Sequence, residues 1–505
     1  MNTFLNGLKN ATNYGYTENG AVKHFTTKSA LLDMFALGAA YRKRSEEDCI
    51  LLFKNAYNEN PEYALKCLFY IRDIRGIGQG ERRFFRVCLN WLAKTHPEAV
   101  IRNIEFIPEF GRWDDLYCLM DTEAEIVALE LIKNQLILDL TCDTPSLCAK
   151  WVKSENASSK ETRILGEKTR IFFGMSHRNY RKMLSLLRSK INVLEKLMSE
   201  NKWDEIKFDK IPSKAGITYK NAFARRDVIK EKYERFAKDK TTKVNAAALY
   251  PHEVVAKALQ CRYRSMDNTD RLMVNKYWEN LPNWVKDANF NGICVCDTSG
   301  SMAGTPINVA ISLSLYCAER AGGPFANHYI SFASRPQLIE TNGVDFVDKV
   351  NRIYGTNLVD NTNIEAVFDL LLNTAIKNHC SQEEIPQNVV IISDMEFDAA
   401  ARSPYDSYGW RRNAVSVPSY NLNRNNVETV MEGVARKWAQ HGYKMPHIVY
   451  WNCDARSDNI PMLGEGPISY VSGFSPSIFQ TILTGKTGYQ LMLEALDSDR
   501  YSVIH

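Results

Sequence analysis

The chain has 505 residues, more than one hydrophobic core sustains, so two or three domains are expected. Apolar residues make up 45% and charged residues 24%, a balance that excludes a disordered chain. The net charge of +4 is too small to imply nucleic acid by itself, so the distribution of charge has to decide. No stretch of about eighteen apolar residues exists to span a membrane. Met1 to Thr27 is polar and lacks the apolar segment of a secretory signal. The twelve cysteines are scattered without a CxxC pair, which argues against zinc spacing or a disulfide framework. A cytoplasmic protein with reduced, mostly buried thiols is expected, without a membrane partner.

In chain order, residues 1–27 form an N-terminal extension. Residues 28–285 then read as helix after helix, with periodic apolar positions in Ala30-Leu31-Leu32-Met34-Phe35, Tyr63-Leu65-Leu68-Phe69 and Phe84-Val87-Cys88-Trp91. Pro61, Pro97 and Pro108 stand at helix starts or breaks. This pattern suggests a helical-repeat module, although no clean sequence period is present. From about residue 286 to 505 the texture becomes alternating strand and helix. Gly292 to Asp297, Tyr329 to Phe332, Asn388 to Asp394, His447 to Asn452 and Ile468 to Val471 are strand-like; Pro306 to Arg320, Asn363 to Asn378 and Val427 to His441 are helical. That alternation predicts a doubly wound parallel sheet, interrupted by a polar and aromatic insertion near 401–426. Ligands of such sheets sit at the carboxyl ends of strands, where Asp297 and Asp394 both fall.

Asp297, Ser299 and Ser301 alternate across a turn that Gly300 allows to close tightly. Carboxylate and hydroxyl oxygens suit a hard cation, Mg²⁺ or another divalent ion such as Mn²⁺. The alternative is that these side chains only cap the next helix. Asp297-Thr298-Ser299-Gly300-Ser301-Met302 resembles the metal-ion-dependent adhesion site of von Willebrand factor A domains. The resemblance implies a threonine on a later loop and an aspartate after a following strand. Thr362 fits the first, with Thr356 as rival, and Asp394 fits the second. Glu396 is an acid beyond the usual pattern, expected behind the ligands. A helical module followed by such a domain resembles the TROVE-module family of Ro ribonucleoproteins. The words Arg72-Asp73-Ile74-Arg75-Gly76, Gly111-Arg112-Trp113-Asp114-Asp115, Ala149-Lys150-Trp151, Tyr250-Pro251-His252-Glu253 and Ser393-Asp394-Met395-Glu396-Phe397-Asp398 are most similar to an uncharacterised Ro-like family of the same layout. The resemblance implies a HEAT-like helical ring that binds small structured RNAs and RNA ends, and an α/β domain of the von Willebrand A type.

Residues 150–243 concentrate positive charge, with Tyr180, Tyr219, Phe223 and Tyr233 interleaved. Basic side chains neutralise phosphates and aromatic rings stack on unpaired bases. Nearby acids such as Glu161, Asp227 and Glu231 leave open that these are solvated helix faces. With the Ro-like layout, Arg178, Arg181, Lys182, Arg225 and Arg226 are the expected RNA contacts.

Gly76-Ile77-Gly78-Gln79-Gly80 lacks the preceding strand and the lysine of a phosphate loop, so an interhelical turn is expected there. His252-Glu253 reads as a helix start, and Asp114-Asp115 as a helix N-terminus. No spacing of nucleophile and base demands an enzyme. The expected function is non-enzymatic binding of structured or single-stranded RNA, with the metal domain structural or docking a partner's carboxylate. A metal-dependent protein scaffold without RNA is the second expectation, and a metal-dependent nuclease or hydrolase the third.

Overall fold

A computed structural model describes residues 13–191, 194–246, 249–263, 268–285, 290–332, 335–356, 362–397, 429–463, 468–482 and 486–505. The expected insertion at 401–426 lies outside these residues, as do Asp398 and the Asp360-Asn361 pair before Thr362.

Helices from Ala30–Leu37 to Asn268–Glu279 follow the apolar periodicity. Ser29, Ser45, Asn60, Ser159 and Ser176 each accept a backbone N–H at a helix start, satisfying a donor the helix leaves unpaired. Pro61, Pro97 and Pro108 occupy first turns, where a missing N–H costs nothing.

The first two sequence words meet in one buried network. Arg72, 1% exposed, lies 2.7 Å from Asp115 Oδ2, while Arg86 reaches Asp115 Oδ1 at 2.6 Å and Asp114 Oδ2 at 2.7 Å. Asp115 also accepts the Arg112 amide, so the acidic pair does start a short helix, Trp113–Leu119. Gly111 is required by packing: a Cβ there would lie 2.3 Å from Asp115 Oδ2 and 2.9 Å from Arg72 Nε. Asp73 holds the chain's last residues. It accepts Arg500 Nε at 2.5 Å, Arg500 Nη2 at 2.7 Å and the Tyr501 hydroxyl at 3.0 Å.

The glycine-rich segment is an interhelical turn, as expected, between Pro61–Arg72 and Arg83–Thr95. Its carbonyls serve the C-terminal half: Ser477 Oγ donates to Ile77 O at 3.1 Å. Tyr250 donates to Gln79 O at 3.4 Å, so the beginning and end of the helical region touch. Both ends also pack on the α/β part. Ala30–Leu37 lies against the last strand and Gly488–Leu496; Pro251–Tyr263 lies against Thr305–Arg320 and Phe346–Thr356.

That α/β part holds β3 (Gly292–Asp297), β4 (His328–Phe332), β5 (Leu338–Glu340), β6 (Asn388–Ser393), β7 (His447–Asn452) and β8 (Ile468–Ser472) in the order β5-β4-β3-β6-β7-β8. The purely parallel sheet expected from sequence is corrected here: β5 runs antiparallel to β4 and makes the sheet mixed. Three edge residues are too few to display an alternation. The N-terminal extension contributes a hairpin. Tyr14–Tyr16 (β1) pairs antiparallel with Val22–His24 (β2), and this hairpin docks on the α/β part through His24 N to Ile460 O, 2.9 Å, and the reverse bond, 3.0 Å. Among the described residues the cysteines are free, and no helix is long and apolar enough to cross a membrane.

Two outcomes follow from the packing. Asp115→Ala strands two arginines and is expected to lower unfolding free energy by about 3–5 kcal/mol in chemical denaturation, whereas the half-exposed Arg500→Ala costs less. His252 is half-buried, with its ring 4.9 Å from Phe474, and desolvation, with Arg42 and Lys214 nearby, pushes its pKa down to about 3. The folded state keeps it neutral while the unfolded chain takes up a proton below about pH 6.5. Stability attributable to this group is therefore complete above pH 6.5 and falls toward pH 3, by up to about 1.4 kcal/mol per pH unit. His252→Phe should flatten that part of the pH–stability curve measured by denaturation.

Candidate functional site

β3 and β6 are parallel neighbours in register Cys296 to Ile392, which brings Asp297 level with Ser393. From β3 the chain continues to β4 on one side, and from β6 to β7 on the other. The gap between them is the switch point where strand order reverses and ligands of such sheets bind. Ser393 Oγ donates to Asp297 Oδ2 at 2.5 Å, and the Ser299 amide to Asp297 Oδ1 at 2.9 Å. The Ser299 and Ser301 hydroxyls are 2.9 Å apart. The following helix starts at Thr305 with Gly304, φ 93°, in the cap position and no capping side chain. Asp297, Ser299 and Ser301 therefore do not cap it.

After β6 the chain turns sharply at Met395, a buried residue in the left-handed region at φ 64°. Its amide is held by Ser393 Oγ at 3.0 Å. Asp394 is 1% exposed; its Oδ1 accepts the Glu396 amide at 3.3 Å, while its Oδ2 has no hydrogen-bond partner. Burial first, and then the Asp297 charge, pushes its pKa up to about 7, against the pull of the Ser301 hydroxyl and Arg456. Two buried carboxylates and two serine hydroxyls thus face one space, with an acceptor oxygen unused. That donor set fits a hard divalent cation. Among the described residues no group of three or more His, Cys, Asp or Glu is gathered for a metal. Thr362 is fully buried; it donates to Glu396 O at 2.9 Å and accepts Asn19 Nδ2 at 3.1 Å. Thr356 ends the helix Phe346–Thr356.

Glu396 is fully buried behind this turn. The N-terminal hairpin uses it as an anchor: the Glu18 amide donates to Oε2 at 2.8 Å, and Ser457 Oγ to Oε1 at 2.8 Å. Asn19 also donates to Glu396 O at 2.6 Å, and Thr17 to Phe397 O at 2.6 Å. Lys23 donates to Ser457 at 2.8 Å and to Asn459, placing a cation beside this acid. Arg456, on the loop after β7, donates Nη2 to Ser301 O, stands 3.6 Å from Asp394 Oδ2, and holds Nη1 3.4 Å from Glu18 Oε2. The sequence reading missed Glu18, Asn19, Arg456 and Ser457. Asn19-Gly20 is a hairpin signal that was present, and Asn452 to Asp454 is a third strand end with an acid.

The five expected RNA contacts are all exposed. Arg178, Arg181 and Lys182 lie on His177–Lys190; Arg225 and Arg226 form the joint between Ser213–Ala224 and Asp227–Lys238. Among the described residues none is in an ion pair, and Arg226 lies 4.0 Å over the Trp203 ring. Neighbouring cations are committed elsewhere: Arg170 to Glu155, Lys168 to Asp121 and Glu125, Lys220 to Asp270, and Arg188 to the carbonyls of Ala149 and Val152. Arg181 and Arg188 line an open cavity of about 530 Å³ together with Tyr180, Glu155, Glu195 and Glu200.

A many-helix region joined to a six-stranded α/β sheet, with a polar cluster at the switch point, is the class these features define. Residues 17–135 and 146–289 match the family described as Domain of unknown function (DUF2828), and residues 291–499 match Domain of unknown function (DUF7788). The chain belongs to the DUF2828 family. It is 30% identical over 522 residues to the uncharacterized protein L728 of Acanthamoeba polyphaga mimivirus, covering 94% of this chain and 85% of that protein.

Asp394→Asn keeps the acceptor for the Glu396 amide while removing a buried charge beside Asp297. In metal-free protein at pH 8 it is expected to raise the unfolding free energy by about 1–2 kcal/mol, measured by denaturation in a chelator.

Proposed function

We propose that this chain is a Ro-like, non-enzymatic RNA-binding protein, with an RNA-binding helical region and a von Willebrand A-type domain that takes Mg²⁺ or Mn²⁺. The observation that carries the RNA reading is the sorting of the basic residues. Between residues 150 and 243 many cations are neutralised by acids or bonded to carbonyls, whereas Arg178, Arg181, Lys182, Arg225 and Arg226 remain exposed and outside ion pairs among the described residues. Unpaired surface guanidinium groups release counterions when they meet phosphates, and an Arg stacked on a tryptophan offers a flat face to a base.

The unused Asp394 oxygen supports the metal part of the reading. Asp297, Ser299, Ser301, Thr362 and Asp394 would hold the ion, and a bound ion would supply an open position for a carboxylate. The residues themselves orient it: Ser393 fixes one Asp297 oxygen, the Ser299 amide fixes the other, and Asn19 and Glu396 O fix the Thr362 hydroxyl. Exposed apolar residues on Glu125–Thr141, with Ile126 60% and Leu138 58% exposed, favour a second reading in which the helical region docks a protein.

The test is binding of a labelled, structured RNA at about 50 and about 200 mM salt. Wild type is expected to bind and to lose affinity steeply with salt. Arg225→Glu with Arg226→Glu should weaken binding by at least about tenfold and flatten the salt slope. No binding at the lower salt would overturn the RNA reading in favour of the protein scaffold. For the metal, Mn²⁺ should raise the melting temperature of wild type and leave Asp297→Ala unaffected.

A further inference from the structure

The reading above leaves unnamed the carboxylate that meets the metal. We propose that it belongs to this same chain: Glu18, at the tip of the N-terminal hairpin, is the acid that completes the switch-point site, and Arg456 takes the cation's place when no metal is bound. The proposal rests on the metal reading and goes beyond it by making the site an internal clasp.

Three sets of contacts lead there. The first is how the hairpin tip is held. Its backbone and Asn19 are fastened at the site by the Glu18 amide on Glu396 Oε2 (2.8 Å), by Asn19 Nδ2 on Glu396 O (2.6 Å) and Thr362 Oγ1 (3.1 Å), and by Thr17 on Phe397 O (2.6 Å). Every one of these anchors lies within three residues of Asp394 or is itself Thr362. A loop that only covered the sheet would not need four polar bonds to this turn.

The second is that the Glu18 carboxylate is not used for anchoring. Its side chain is 57% exposed, and Arg456 Nη1, at 3.4 Å, is the cation beside it. The tip thus fastens its backbone to the turn while its acid side chain meets the Arg456 guanidinium.

The third is the position of Arg456. Its guanidinium touches Ser301 O and stands 3.6 Å from the orphan oxygen of Asp394, with Glu18 on its other terminal nitrogen. One cation thereby bridges a carboxylate of the site and a carboxylate of the hairpin. A divalent ion held by Asp297, Asp394 and the serine hydroxyls would carry twice the charge of the guanidinium, so it would disfavour Arg456 there and favour the acid that Arg456 now meets. Glu18 would then be the residue of this chain that supplies the remaining carboxylate. Loop residues around Arg456 are themselves fixed by the first helices, through Arg44 Nη1 on Arg456 O at 2.9 Å and Lys43 on Asp454 at 2.6 Å. The clasp therefore joins the hairpin, the sheet and the helical region.

The probe is Mn²⁺ alone, titrated calorimetrically into the full chain. Glu18→Gln is expected to weaken Mn²⁺ by at least about tenfold, the loss typical when an oriented metal partner is removed. Arg456→Ala should tighten it by removing the competing cation. In a second measurement, Mg²⁺ should slow hydrogen exchange of the amides of residues 17–24 in wild type and leave them unchanged in Glu18→Gln. The side chain of Glu18 makes no buried contact, so the variant folds, and its melting temperature in chelator should equal that of wild type. Mn²⁺ binding that is the same or tighter in Glu18→Gln would overturn the clasp while leaving the metal site standing. Absence of Mn²⁺ binding in wild type would overturn both.

Discussion

The buried carboxylate of Glu396 is the point on which the C-terminal half and the N-terminus converge. Both of its oxygens are taken, one by the backbone of residue 18 and one by Ser457. A carboxylate at 0% exposure is tolerated only with such donors and a nearby cation, here Lys23. Lys23 is itself supplied by the hairpin that Glu396 anchors, so the acid and its counter-charge come from opposite ends of the chain. Each charge offsets part of the other's burial. This mutual compensation explains why a polar stretch of eleven residues, Tyr14 to His24, is folded at all: its strands are three residues each and bury little.

The same logic recurs on the helical side. Asp73 and Asp115 are buried acids that collect arginines from distant segments: Arg500 for the first, Arg72 and Arg86 for the second. In each case the acid is adjacent to a glycine that has to be one. Gly76 leaves room for Arg500, and Gly111 for Arg72. Sequence words that look like binding motifs, Arg72 to Gly76 and Gly111 to Asp115, are thus accounted for as the two halves of a charge lattice. Their chemistry is internal and holds the fold together.

What was legible in the sequence and what was not divides along physical lines. Strands β3, β6 and β7 are continuous apolar runs buried on both faces, and such runs announce themselves. Asp297 and Asp394 were legible for the same reason, as acids at the ends of those runs. Helix starts were legible where a serine, an asparagine or a proline marks them. The edge strand β5 and the N-terminal hairpin were not, because three-residue strands carry no period. The role of Glu396 was also hidden, since what decides it is an amide 378 residues away in the chain. Arg456 gave no signal of its own: an arginine after an aspartate on a loop is ordinary surface until the fold places it over Ser301 and Asp394.

The switch-point acids also bear on how the two halves of the chain communicate. Arg456 stands between Asp394 and a loop whose carbonyl is held by Arg44, whose next acid, Asp458, meets the Tyr41 hydroxyl, and whose Ala455 amide bonds Ala40 O at 3.2 Å. Arg456 thus has its guanidinium beside Asp394 and its carbonyl on the segment Ala40 to Arg44, just past the first described helix. From there the path runs through Arg42, which lies 3.6 Å over Phe474 and 2.9 Å from Glu81, into the turn that Tyr250 touches. The beginning and the end of the helical region are tied to one another at that turn. The turn after β6 and the interhelical turn at Gln79 are thus joined by a short run of charged and aromatic contacts, most of them between segments far apart in sequence.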